Sequence, residues 1–206
     1  TGPSLPKLKK NIKKWYEHIK EGWINLYLCN LDQPRVVSRW GDEGVHWSES
    51  AKMLGMLYHF MRGTPFIYQG EEIGMTNWRF TLDQADDIEF KRYYQVLVKE
   101  KGLLDEDTFM KISHIVARDT SRSPVQWTPS ANAGFTSGKP WLPVNENYVK
   151  INAETEEKDP KSVLNFFKRI IATRKAHDML IDGEIELIFE YKDTIFGYRR
   201  LLPNES

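Results

Sequence analysis

Residues 23–40, WINLYLCNLDQPRVVSRW, decide how this chain is read. The first half is short and largely apolar, as expected of a strand buried on both faces in a parallel sheet. It ends in Asn30 and Leu31, so Asp32 falls just past the carboxyl end of the strand, and Pro34 with Arg35 turns the chain away. A strand that delivers a carboxylate to a loop is a common device of catalytic sites on α/β scaffolds. An Asp before Gln-Pro is also an ordinary turn former, so the local pattern leaves both readings open.

The flanks extend the pattern. Leu5, Leu8, Ile12, Trp15, Tyr16 and Ile19 recur at helical spacing over residues 5–20, with Gly22 behind them, and predict an amphipathic helix. Residues 46–62 predict a second helix with Ser48 as its cap and Ala51, Leu54, Leu57, Tyr58 and Met61 on one side. TPFIYQG (64–70) reads as a second buried strand and EEIGMTN (71–77) as the loop at its carboxyl end. Helix, strand, loop, repeated twice, is the grammar of a parallel α/β fold. Residues 82–102 read as helical with an irregular period. Residues 119–152 have no period and are rich in Pro, Gly, Ser, Asn and aromatics, which marks an ordered functional loop. Residues 159–177 predict a helix capped by Asp159 with Pro160 in its first turn. Residues 183–201 alternate apolar and polar about Lys192 and Asp193, which predicts an antiparallel hairpin and a domain boundary near Asp182 and Gly183.

Composition narrows the function classes. Among 206 residues, 29 are basic and 29 acidic, which argues against a nucleic-acid footprint or a polybasic membrane contact and for a small neutral partner. Cys29 is the sole cysteine, so neither an internal disulfide nor a Cys-based zinc site is expected. His18, His46, His59, His114 and His177 are dispersed without ligand spacing; no metal and no cofactor is expected. No apolar run is long enough to span a bilayer and no signal-peptide core is present in the first residues, so a cytoplasmic location is expected. Thr1 stands where a gene product begins with Met, which suggests a processed or partial chain. Aromatics make up 13%, with seven Trp, suiting either a dense core or a surface that stacks sugars.

Three stretches together carry a resemblance: NLDQPRVVSRWG (30–41), RGTPFIYQGEEIGMTN (62–77) and ARDTSRSPVQWTPSANAGFTSGKPWLPVN (117–145). In this order and spacing they resemble the α-amylase superfamily of glycoside hydrolases, in its oligo-1,6-glucosidase and α-glucosidase branch. The resemblance implies an α/β fold: residues 1–182 as the carboxyl-terminal portion of a (β/α)8 barrel, and residues 183–206 as the beginning of an antiparallel β domain. A barrel closes with eight strands and this chain supplies about two, so surface normally covered by the remaining strands should be exposed, and self-association through free strand edges is plausible.

The resemblance also assigns roles. Asp32 matches the family's third catalytic carboxylate, which contacts sugar hydroxyls and stabilises the transition state. Arg118 and Arg122 match a pair of arginines near the inner sugar subsites, where a guanidinium fork suits paired hydroxyls or a carboxylate. Leu31 stands where the family usually has a His that donates to the same sugar, and leucine has no donor. Trp127, Phe135 and Trp141 are candidates for a stacking wall in outer subsites; pinning the loop to the barrel is the equal alternative. Glu71 and Glu72 look like paired carboxylates, but the family match makes their segment structural. The nucleophile and the acid/base, which a retaining glycosidase holds about 5–5.5 Å apart, match nothing in this chain and would lie upstream of Thr1.

The expected activity is therefore that of a parent retaining α-glucosidase, cleaving terminal α-1,6 or α-1,4 bonds of short oligosaccharides, with this chain alone inactive and the amino-terminal part of the barrel as its partner. Two alternatives stay open: a trehalose-6-phosphate hydrolase or sucrose-isomerising relative, and a non-catalytic carbohydrate-binding or partner subunit. Leu31 favours the last.

Overall fold

A computed structural model describes residues 4–19 and 22–202. Helix α1 (Leu5–His18) starts on the side chain of Ser4, which accepts from the Lys7 backbone N–H, and has Pro6 in its first turn. Lys20 lies outside the described residues. The buried Lys9 reaches across to donate to the carbonyls of Phe189 and Lys192 in the hairpin connection.

Strand β1 (Asn25–Leu26) pairs in parallel with β2 (Thr64–Pro65), Asn25 opposite Thr64 and Leu26 opposite Pro65. The ladder continues through Thr64 N–H to Ile24 O at 2.8 Å and Phe66 N–H to Leu26 O at 2.7 Å. The expected parallel pair is present, but not the burial on both faces: Trp23, Tyr27, Phe66 and Ile67 are exposed, while Leu26 is buried. The reason is that, among the described residues, β1 and β2 form a sheet of two strands and no second layer covers the far face.

The crossover between β1 and β2 carries the short α2 (Val36–Trp40) and α3 (Trp47–His59). Helix α3 is not capped by Ser48; His46 occupies the cap position without a side-chain bond. It packs on α7 (Val163–Ala176), with Ala51, Leu54, Phe167 and Ile170 forming the main core together with Cys29, Val36 and Val37. Gly55 lets the Phe167 ring approach α3, since a Cβ there would lie 2.5 Å from the ring. The cap of α7 is Ser162, accepting from Asn165 N–H, rather than Asp159. Asp159 instead closes α6 (Ala153–Lys158), a helix that sequence periodicity did not separate from the loop before it, and its carboxylate accepts from Lys161 N–H.

A second core gathers Trp78, Phe80, Phe90, Phe109 and Leu142 beneath α4 (Ile88–Tyr94) and α5 (Glu106–Val116). Past Tyr94 the helix widens into a π-type segment, Gln95–Glu100. Its wider i→i+5 turn rotates the following side chains, which explains the irregular apolar period of this region. Helix α5, capped by Asp105, was not anticipated. The short α8 (Asp178–Ile181) leads into β3 (Glu184–Ile188) and β4 (Gly197–Leu201), which pair antiparallel as expected. Among the described residues, no helix is long and apolar enough to cross a membrane.

Candidate active site

The loop after β1 is held from both sides. The fully buried Arg35 donates from its backbone N–H to Asn77 Oδ1 at 2.7 Å, and its guanidinium bonds the Gln69 carbonyl just past β2. Asn30, not Asp32, builds the turn: its side-chain oxygen accepts from Asp32 N–H at 2.9 Å and its carbonyl from Gln33 N–H at 3.3 Å. The carboxylate of Asp32 is thereby left free of turn duty and is 59% exposed. That separates it from the ordinary turn former it resembles in sequence.

Two arginines reach it from the other half of the chain. Residues 118–121 form a 3₁₀ turn whose Thr120 and Ser121 are fully buried, and whose Thr120 carbonyl accepts from Trp78 N–H at 2.8 Å. This rigid support sets Arg118 and Arg122 toward Asp32. Arg122 donates from Nη2 to Asp32 Oδ1 at 3.1 Å and from Nε to the Leu31 carbonyl at 2.9 Å. Arg118 Nη1 lies 3.6 Å from the same Oδ1. Asp32, Arg118, Arg122 and the Leu31 backbone are thus brought together, and Leu31 is 56% exposed.

Each arginine has a further carboxylate that sequence reasoning missed. Arg118 makes a bidentate pair with the buried Asp87, 2.7 Å from Nε and 2.5 Å from Nη2, and lies 3.2 Å from Glu89. The paired guanidinium, aided by the Glu89 N–H, holds the Asp87 carboxyl below the usual carboxylate range against the opposing effect of burial. Asp119, 1% exposed, sits 3.7 Å from Arg122 Nη1 and accepts the backbone N–H groups of Asp86 and Asp87, both at 2.8 Å. The one signal in the sequence for Asp87 was an Asp directly before an apolar helical run, the mark of the N-cap it is, since it accepts from Glu89 N–H at 3.0 Å.

Glu71 is buried, and its carboxylate accepts from Tyr58 O–H at 3.1 Å and from Tyr68 N–H at 3.4 Å. Burial pushes its carboxyl up to about 7 despite these two donors. Raised above its unfolded value of about 4.3, the group binds more protons when folded, so its contribution to stability is complete below that value, falls as pH rises, and is gone above about 7. The expected loss is about 3 kcal/mol. Urea unfolding at pH 5 and pH 8 should therefore show a larger drop for the natural chain than for Glu71→Gln; equal drops would rule this out.

The long loop is pinned chiefly by side-chain amides. Gln126 Nε2 donates to Asn147 Oδ1 at 3.0 Å and to the Ile151 carbonyl, and Asn145 Nδ2 donates to the carbonyls of Thr76 and Asn77 at 3.1 and 3.2 Å. Trp141 shares in this, donating from its indole to Asp86 Oδ2 at 2.7 Å. Trp127 and Phe135 sit at the two ends of a tight turn through Asn132 and Ala133, both left-handed with φ of 53° and 54°. Their rings are about half exposed. Among the described residues they make no aromatic or cation–π pair, and none of the contacts described above joins them to Asp32 or its arginines.

Comparison with known proteins places the chain among its relatives. Residues 2–183 match the family model described as alpha amylase, catalytic domain. The chain is 48% identical to an oligo-1,6-glucosidase of Parageobacillus thermoglucosidasius over 98% of its own length and 36% of that protein's. It is 46% identical to a trehalose-6-phosphate hydrolase of Bacillus subtilis strain 168 over 97% and 36%. Among solved structures, a trehalose-6-phosphate hydrolase of Bacillus licheniformis superposes with a TM-score of 0.93 at 42% identity, covering 97% of this chain and 36% of that one. An isomaltulose synthase of Erwinia rhapontici NX5 superposes with a TM-score of 0.92 at 38% identity, covering 98% and 37%. The chain spans about 36% of the length of the curated relatives it matches. With a catalytic-domain match over residues 2–183, this chain belongs to the alpha-amylase family.

Proposed function

We propose that residues 1–182 form the carboxyl-terminal part of a (β/α)8 barrel, that residues 183–206 begin an antiparallel β domain, and that the assembled protein is a retaining α-glucosidase. Its substrates are short oligosaccharides with terminal α-1,6 or α-1,4 glucosidic bonds, cleaved in the cytoplasm. The observation that carries this reading is Asp32 itself: an exposed carboxylate past the carboxyl end of a parallel strand, with Oδ1 engaged by Arg122. Among the described residues, Oδ2 accepts no hydrogen bond and is free to accept from a sugar.

The chemistry follows from charge. Cleavage builds positive oxocarbenium character on the sugar ring, and hydroxyls hydrogen-bonded to a fixed carboxylate strengthen their bonds as that charge develops. Asp32 supplies this stabilisation. Arg118 and Arg122 keep it oriented and offer donors to neighbouring hydroxyls, while Trp127 and Phe135 stack outer sugar units. The nucleophile and the acid/base come from the remainder of the barrel, whose strands would cover the exposed Trp23, Tyr27 and Phe66. The named activities of relatives also support a trehalose-6-phosphate hydrolase or a sucrose isomerase built on the same site.

The test is to sequence the coding DNA upstream of the Thr1 codon and to assay the complete product on isomaltose, maltose, trehalose 6-phosphate and sucrose. Hydrolysis of isomaltose or maltose supports the proposal. A complete product without the two further carboxylates supports a binding subunit, the reading that Leu31 favours. Leu31→His separates the two. Restoring a donor beside Asp32 should raise kcat/KM of a working glucosidase about 10²–10³-fold, by analogy with single oxyanion-hole donors; the exposure of Leu31 leaves room for an imidazole. A binding subunit would gain no turnover.

A further inference from the structure

Asp32 is not the sole counter-charge of either arginine beside it. The Arg118 guanidinium lies 3.6 Å from Asp32 but holds Asp87 through two bonds of 2.7 and 2.5 Å. Asp87 is tied in turn to Asp119, whose Oδ2 accepts the Asp87 backbone N–H at 2.8 Å. The other oxygen of Asp119 is buried, has no hydrogen-bond partner, and faces Arg122 Nη1 at 3.7 Å. Arg122 closes the circuit at Asp32 with a 3.1 Å bond. The order is Asp32, Arg118, Asp87, Asp119, Arg122 and back to Asp32.

We propose that Asp87 and Asp119 are positioning residues: each holds one arginine by its own buried carboxylate, so that the pair fixes the orientation of Asp32 without consuming its charge. Two guanidiniums whose only counter-charge was Asp32 would fold onto it and compete with sugar hydroxyls for both oxygens. With three aspartates against two arginines in the circuit, the site keeps excess negative charge where the sugar becomes positive. A buried carboxylate is costly unless paired. Asp119 keeps one oxygen off every hydrogen bond and toward Arg122, which fits a role in holding that side chain better than one in packing. The consequence for hydrolysis rests on the glucosidase reading; the circuit itself does not.

The experiment is NMR on the complete protein encoded by the gene. The Arg118 Nε–H signal should exchange with solvent at least about tenfold more slowly than that of Arg79, as expected for a charge-assisted bond worth about 1.5–3 kcal/mol; Arg79 has a largely exposed side chain. Equal exchange rates in the natural chain would overturn the proposal with no variant needed. Asp87→Asn keeps a good helix cap but removes the ionic partner. It should free the Arg118 Nε–H and shift both the Asp32 13Cγ and the Arg122 Nε–H signals. If Asp87 only caps α4, the Asp32 and Arg122 signals stay in place and the proposal fails. In the complete enzyme the same variant should lower kcat more than it raises KM, and unchanged kcat would count against the positioning role. An inactive natural enzyme would defeat the glucosidase reading instead, while the NMR result would still judge the circuit.

Discussion

On the proposed glucosidase reading, replacing Asp32 by Asn in the complete protein is expected to lower kcat/KM on isomaltose about 10³-fold, since hydrogen bonds to ring hydroxyls that tighten in the transition state supply several kcal/mol. The fall should be mainly in kcat, because the lost interaction grows as the oxocarbenium ion forms and is weaker in the ground state. Stability should change by less than about 1 kcal/mol, for Asp32 is 59% exposed and pairs of that kind contribute little. Arg118 and Arg122 would not be left as bare charges, as Asp87 and Asp119 lie on their other sides. A variant that keeps full activity would remove Asp32 from the reaction. One that loses activity together with its melting transition would make it a structural residue.

The second large effect is on folding. Arg174, at the end of α7, donates from Nη1 to the carbonyls of His59, Met61 and Leu180 at 2.7, 2.8 and 2.7 Å, and from Nη2 to the Gly63 carbonyl at 2.6 Å. One buried guanidinium thus satisfies the chain end of α3, the approach to β2 and the end of α8. Its neighbour Arg200, on β4, bonds the carbonyls of Phe60 and Gly183 and shares that of Leu180. Arg174→Met keeps the aliphatic stem but strands the carbonyls of His59, Met61 and Gly63, for an expected loss of about 3–5 kcal/mol and a fall of about 10 °C in melting temperature. Arg174→Lys, with three donors and no planar fork, should recover part of it. Thermal unfolding followed by circular dichroism measures both; a loss below about 1 kcal/mol for the Met variant would show that water replaces these bonds.

Much of this was legible in sequence because it is local. Apolar spacing marked α1, α3 and α7, alternation marked the pair β3 and β4, and the order of elements placed Asp32 after a parallel strand. The three long matching stretches, taken in order, then pointed to the family. Caps were less legible: Ser48 and Asp159 are chemically suitable, but His46 and Ser162 occupy the positions where the helices begin. The π-type segment after Tyr94 blurred one helical period, and α6 was hidden in a polar stretch.

The sequence by itself determined the family, through three long stretches matched in order, and singled out Asp32, Arg118 and Arg122 as candidates by that same match. Only the tertiary structure decided what holds them. The bonds from Asp87 to Arg118 and from Asp119 to the Asp86 and Asp87 backbone join residues 31 to 33 positions apart, and those of Arg122 to Asp32 and Arg174 to His59 join residues 90 and 115 apart. An ion pair depends on where two side chains end in space, and no period or local propensity carries that information; packing of the two cores sets it.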